Sequence, residues 1–336
     1  MTAHLRSGIS VVIPVYNSAG VLKTLVESIK SELFQYGSDF EVILVNDGSM
    51  DASWNVIASL TKIYPWLRGM NLMRNYGQNN ALLCGLREVK YNVTVTMDDD
   101  LQHPPAAIKL LVAKLISEGL DVVYGRPLKE EHGFLRDSAS VLTKLVIKHA
   151  LGVKSAPDVC SFRAFKTKIR KAFDKFHSPY INIDVLLSWG ASKFGVVHVE
   201  HSPRSFNTSN YTLQKLITHG VNLLTGFSTV PLQFASLYGI VLIGFGILLL
   251  AYVVIKFLVY PINVPGFPFL ASIIIIFSGA QLMALGIIGE YVGRIYARTM
   301  DRPPYILDEI LDDSDEIFDD SQYAPSYQLQ HSAAED

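Results

Sequence analysis

Val93-Thr94-Val95-Thr96-Met97-Asp98-Asp99-Asp100-Leu101-Gln102-His103-Pro104-Pro105 passes from an apolar, β-branched segment straight into three consecutive carboxylates. Val93 to Met97 reads as a buried strand. Pro104 and Pro105 suit the opening turn of a helix that continues to about Glu118. The acids therefore stand where a strand gives way to a helix. The same alternation extends to both sides. Ile9 to Val15, Phe40 to Val45, Arg68 to Met73 and Leu120 to Tyr124 read as strands. Val21 to Leu33, with Leu22, Leu25, Val26 and Ile29 at helical spacing, reads as a helix, as do Ser53 to Tyr64 and Asn79 to Val89. Strands separated by helices predict an α/β domain with a mostly parallel sheet covered on both faces. Such sheets bind ligands beyond the carboxyl ends of their strands. The polar clusters Tyr16-Asn17, Asn46-Asp47 and Asp98 to Gln102 all fall there.

Carboxylates two apart on an extended segment point the same way, so Asp98 and Asp100 are expected to face one point, with Gln102 next in line. Held together without a partner they would cost several kcal/mol, so a cation or a basic group is implied. Mg²⁺ or Mn²⁺ suits such oxygen ligands and is commonly shared with substrate phosphates. A solvated acidic turn remains the alternative. Asp47 could cap the following helix or accept a hydrogen bond from a ligand.

The second half has another character. Leu232 to Ile255 is 24 residues without a charge, and Phe267 to Gly289 is 23 more. At 1.5 Å per residue each reaches roughly 35 Å, enough to cross a hydrocarbon core of about 30 Å. Gly239, Gly244, Gly246, Gly279, Gly286 and Gly289 suit close helix packing in lipid. Lys215 before the first span, and Arg294, Arg298 and Arg302 after the second, place both flanks in the cytoplasm by the positive-inside rule. Glu290 is expected to pair with Arg294 one helical turn on. Residues 211–230 are read as an amphipathic helix lying on the membrane, or as an ordinary core-facing one. Residues 1–210 then form the soluble domain and 231–300 the membrane region. Residues 301–336 form an acidic, partly disordered cytoplasmic tail beginning around Asp308 and Glu309.

Across its 336 residues the chain is 49% hydrophobic and 18% charged, with a formal net charge of -2, which gives no basis for nucleic-acid binding. The two cysteines, Cys84 and Cys160, form no CxxC pair, and a reducing compartment is the simpler reading.

Four stretches in order, Val12-Ile13-Pro14-Val15-Tyr16-Asn17, Val45-Asn46-Asp47-Gly48-Ser49, Arg74-Asn75-Tyr76-Gly77-Gln78 and Met97 to Pro105, together resemble inverting family 2 glycosyltransferases. With the two apolar spans and Gly289-Glu290-Tyr291-Val292-Gly293-Arg294 they are similar to its polyprenyl-phosphate branch. The resemblance runs from about residue 9 to 307 and implies a GT-A type domain. It also implies transfer of a sugar from a nucleotide diphosphate, UDP-linked in the favoured reading, to a polyprenyl phosphate of the undecaprenyl type at the inner or plasma membrane. A homo-oligomer is implied as well.

By the same likeness Pro14, Tyr16, Asn17, Asp47, Asp98 and Asp99 bind the nucleotide sugar, and Asp98, Asp100 and Gln102 hold Mg²⁺ or Mn²⁺. Arg126, Arg136, Ser140, Arg163, Arg204, Ser209 and Tyr211 match positions that receive the acceptor phosphate. Asp158 stands where the family carries its proposed base, beside Asp100 and Arg126 in the catalytic set, with Asp184 as the alternative carboxylate. The chain departs from the family in having Ser18 after Tyr-Asn, and Asn207 and Asn210 near Ser209 in place of glycine and lysine. A processive polysaccharide synthase and a non-catalytic nucleotide-sugar-binding scaffold are the competing readings. The first calls for more spans, and the second would not need the acidic cluster.

Overall fold

The computed structural model describes residues 5–127, 160–176, 181–200, 230–259, 266–300 and 302–312. Ile9 to Val15, read as a strand from its β-branched run, lies in β1 (Arg6–Val15), whose side chains are almost all buried. Burial on both faces is what a parallel central strand requires. β1 pairs in parallel with β2 (Phe40–Asn46) on one side and β4 (Tyr91–Thr96) on the other. β2 pairs in parallel with β3 (Leu67–Leu72). β5 (Val122–Pro127), β6 (Arg163–Lys166), β7 (Phe194–Val199) and β8 (Leu307–Leu311) complete a sheet of order β7-β5-β6-β4-β1-β2-β3-β8. The sheet is mixed but mostly parallel, as the sequence implied. The exceptions are β6, antiparallel to both β4 and β5, and β8, antiparallel to β3.

Helices cover both faces. Ile13, Val42 and Leu44 meet α1 (Ala19–Tyr36), α2 (Ser53–Thr61) and α4 (Ala107–Ser117) in one core, through Leu22, Leu25, Ile57 and Leu111. The alternate residues Val12, Ile43 and Val45 meet α3 (Gln78–Arg87) and α5 (Ile183–Ser188) in the other, through Leu82, Leu86 and Leu186. Side chains of a strand point alternately to its two faces, so one buried run feeds two cores. The prolines read as opening α4 lie just ahead of it, with Ala107 N–H donating to the Pro104 carbonyl (2.9 Å).

α6 (Val230–Val259) and α7 (Phe267–Thr299) are long and apolar enough to cross a membrane. Large side chains such as Phe234, Ile240, Leu248, Ile274, Leu282 and Ile288 are exposed along them, a surface that belongs in lipid rather than water. The glycines are used sparingly. Gly246 lies against the Phe277 ring, whereas Gly239, Gly244, Gly279, Gly286 and Gly289 have open space where a Cβ would stand. Glu290 and Arg294 pair as expected, at 2.7 Å.

The acidic tail needs correction. Asp308 and Glu309 do not trail into solvent but sit in β8, an edge strand of the same sheet, with Asp312 just beyond its end. Leu307 and Ile310 pack against the core on the α3 side, which gives the segment a reason to dock. β7, before α6 in the chain, and β8, after α7, belong to the same sheet. Residues 313–336 and the juxtamembrane segment 211–229 lie outside the described residues.

Candidate active site

β1, β2 and β4 run parallel, so their carboxyl ends share one edge of the sheet. A cavity of about 280 Å³ opens there, walled by Pro14 and Tyr16 from β1 and the loop after it, Asp47 after β2, Asn75 in the loop before α3, Gln78 at the start of α3, and Asp98, Asp99 and Asp100 after β4. Three neighbouring loops are knitted together around it. Asn17, at φ 54°, accepts from Met50 N–H (2.8 Å), and its own N–H donates to Ser49 Oγ (3.0 Å). Gly48 adopts φ 62°, and a Cβ there would stand 2.4 Å from the Arg74 carbonyl carbon, so the turn after β2 needs glycine to reach the loop before α3.

Asp47 is buried. Its two oxygens accept the backbone N–H groups of Tyr76 and Gly77 (2.7 and 2.9 Å), which fixes the loop that leads into α3 rather than capping α2. Burial raises its carboxyl above the usual range, and those two N–H groups offset only part of the rise.

The triple-aspartate segment does not continue the strand. β4 stops at Thr96, and Leu101 turns the chain with φ 60°. Simple alternation therefore fails, and all three carboxylates line the cavity. Gln102 does not line it; its N–H donates to Asp100 Oδ1 (3.1 Å). Asp99 accepts from Tyr16 N–H (3.1 Å). Burial lifts its carboxyl to about 6; the Ser18 hydroxyl and the Tyr16 N–H act against this, and Asp98 and Asp100 add to it. Asp98 accepts from Gln78 Nε2 and from Ser161 Oγ, both at 2.6 Å. His103, beside the cluster, packs instead of facing ligand, stacking on Phe162 at 5.0 Å.

Among the described residues no three His, Cys, Asp or Glu side chains converge into a complete metal cage. Four carboxylates nonetheless line the cavity, and no Lys, Arg or His among the described residues lines it with them. An anionic diphosphate could settle there only with a cation between. An oxygen-only set of one or two carboxylates completed by substrate phosphates is how Mg²⁺ is commonly held. The residues therefore fit a divalent ion shared with a ligand.

Other candidates separate. Asn17 does not line the cavity and serves the loop contacts above. Arg126 lies near the end of β5, at the same sheet edge, since β4 and β5 are both antiparallel to β6. Arg163 is corrected: it sits on β6 between Thr96 and Tyr124, 2% exposed, with its guanidinium paired to Asp184 and its Nε donating to Thr96 Oγ1 (3.0 Å). A buried arginine already paired this way does not reach out to an acceptor phosphate. Tyr124 donates its hydroxyl to the same Asp184 (3.2 Å). Arg136, Ser140, Asp158, Arg204, Ser209 and Tyr211 lie outside the described residues. Gln78, Asn75 and Ser161 join the site from outside the candidate set; Asn75 and Gln78 belong to the Arg74-to-Gln78 motif, whereas Ser161 belongs to none of the four motifs.

Residues 10–175 match the family described as Glycosyl transferase family 2. An undecaprenyl-phosphate 4-deoxy-4-formamido-L-arabinose transferase of Shewanella sediminis is 36% identical over 306 residues, 90% of this chain and 92% of that protein. The transferase of the same name from Photorhabdus laumondii is 34% identical over 91% of this chain and 95% of its own. The chain belongs to glycosyl transferase family 2. Its relatives put it in the polyprenyl-phosphate branch of that family, and its mixed sheet followed by two membrane-length helices agrees with the GT-A type architecture the motifs implied. A solved glucosyl-3-phosphoglycerate synthase of Mycobacterium tuberculosis, in complex with Mn²⁺ and uridine diphosphate, is 17% identical with a TM-score of 0.48, covering 65% of this chain and 78% of that one.

Proposed function

We propose that this family 2 member transfers a sugar from a UDP-linked donor to a polyprenyl phosphate of the undecaprenyl type, with inversion and with Mg²⁺ or Mn²⁺ required. The observation that carries the reading is the carboxylate-lined cavity at the sheet edge, in a chain that also carries two membrane-length helices. The names of the relatives support the acceptor class.

In this reading Pro14 and Tyr16 wall the nucleoside, and Asp98 and Asp100 would hold the divalent ion. What such an ion supplies is neutralisation of the charge that grows on the departing nucleoside diphosphate. Asp47 holds the loop of Tyr76 and Gly77 against the donor side. Arg126, at the same edge, receives the acceptor phosphate together with Arg136, Ser140, Arg204, Ser209 and Tyr211; arginine forks match phosphate geometry.

An acceptor phosphate oxygen attacks the anomeric carbon as the bond to the diphosphate oxygen breaks. A phosphate monoester has its second pKa near ~6 and is already largely dianionic at neutral pH, so attack needs little help from a base. The commitment of Asp184 to Arg163 favours Asp158 for any remaining proton or sugar contact. Both flanks of the helix pair lie in the cytoplasm in this reading, and the enzyme works as a homo-oligomer.

The test incubates purified protein with radiolabelled undecaprenyl phosphate and a panel of nucleotide sugars. Transfer is expected from one donor, is lost in chelator, and is lost in Asp100→Ala without loss of folded protein. Undiminished turnover in chelator or in that variant would remove the metal assignment.

A further inference from the structure

We propose that Ser161 and Gln78 are positioning residues that set the Asp98 carboxylate for a divalent ion, an inference that rests on the metal reading above. β4 ends at Thr96, so no strand ladder holds the backbone at Asp98. Its side chain stands beside Asp99 and Asp100 in one cavity, where like charges would drive it away. Two donors keep it in place from opposite sides. Gln78, the first residue of α3, donates Nε2–H to Oδ1 at 2.6 Å, and Ser161, just before β6, donates Oγ–H to Oδ2 at 2.6 Å. A carboxylate oxygen has more than one lone-pair site, so each can accept its donor and still face a cation.

Ser161 is itself fixed from below. Its carbonyl accepts the Thr96 hydroxyl (2.8 Å), and that hydroxyl oxygen accepts Arg163 Nε–H (3.0 Å). Arg163 is held in turn by its buried pair with Asp184. Moving Ser161 would disturb a paired, desolvated arginine, which is costly. The position of Asp98 is thus inherited from the sheet interior through β6. Gln78 is exposed and Ser161 half-buried, so neither carries the core. Partners behind a metal-ligating group typically change metal affinity by about 10- to 100-fold when removed.

The experiment titrates Mn²⁺ into full-length, detergent-purified protein holding UDP, follows free Mn²⁺ by electron paramagnetic resonance, and records the melting temperature of each metal-free variant. Ser161→Ala and Gln78→Ala are each expected to weaken Mn²⁺ binding by about 10-fold or more at an unchanged melting temperature. Ser161→Thr, which keeps a hydroxyl, should regain most of the affinity. Wild-type affinity in both alanine variants overturns the proposal. If Ser161→Ala does not fold, Gln78→Ala at the exposed donor decides alone. A wild-type protein that takes up no Mn²⁺ with UDP would instead bring down the metal reading itself, and this inference with it.

Discussion

Asp99 has a different role from its two neighbours. Its carboxylate is spent on the Tyr16 N–H, so it joins the tip of β4 to the loop after β1. Its carboxyl titrates near 6 in the folded chain against about 3.8 for an unperturbed aspartate. Between those values the folded chain keeps a proton that the unfolded chain has released, so stability falls as pH rises through that window. Asparagine cannot titrate but can still accept from Tyr16. In chelator, Asp99→Asn should therefore gain melting temperature over wild type from pH 4 to about pH 6.5, and the gap should then level off. A gap that stays flat over that range would show that Asp99 is not desolvated in the folded protein. The place of Asp98 and Asp100 at the sheet edge was legible in the sequence, because the three acids directly follow an apolar strand run. Their arrangement was not, because alternation holds only while the strand lasts. Ser161 was invisible because its meaning depends on a strand pairing that brings it to Asp98 from 63 residues away.

The elements read most clearly were those with one strong period. β1, β2 and β4 showed as β-branched runs, and α1 as a Leu22–Leu25–Val26–Ile29 stripe. β6 was missed. It is four residues long, two of them basic, and it inserts antiparallel between β4 and β5, which no local pattern announces. The seating of α3 on the sheet is a close one. A Cβ on Gly85 would stand 2.5 Å from Val12 Cγ1 and 3.0 Å from Val45 Cγ2, both buried in the centre of the sheet. Overpacking of this kind usually costs about 1–3 kcal/mol. Gly85→Ala should lower the denaturation midpoint accordingly. Because α3 begins with Gln78, it should also weaken donor binding. An unchanged midpoint in a urea titration would mean that the helix can lift off β1 without cost.

At the scale of the molecule, the membrane helices are a detour within one folded unit. The chain leaves the sheet after β7, runs through α6 and α7, and returns as β8 beside β3. The return is secured by more than the ladder. Arg68, buried at 5% exposure, pairs with Asp312 (2.9 Å) and Glu41 (3.3 Å), and Glu41 also accepts from Ser10 Oγ and Lys90 N–H (both 2.6 Å). Asn71 donates to Asp308 (2.9 Å), and Trp54 Nε1 to Glu309 (3.2 Å). The acids that looked like a solvated tail are thus partly counter-charges for a buried arginine that lies 244 positions before Asp312. Sequence composition could not separate the two, since a docking strand of five residues carries the same acids as a free one. Removing one partner of a buried ion pair leaves a charge uncompensated at roughly 3–5 kcal/mol, although here Glu41 would still hold Arg68 and reduce the loss. The comparison that isolates β8 uses two truncations, one ending at Asp312 and one ending at Arg302. The first should melt like the full chain. The second uncovers the β3 edge, and it should melt lower and aggregate as exposed strand edges do. Equal melting temperatures would mean that the domain is complete before the chain enters the membrane, and that β8 rests on the sheet without supporting it.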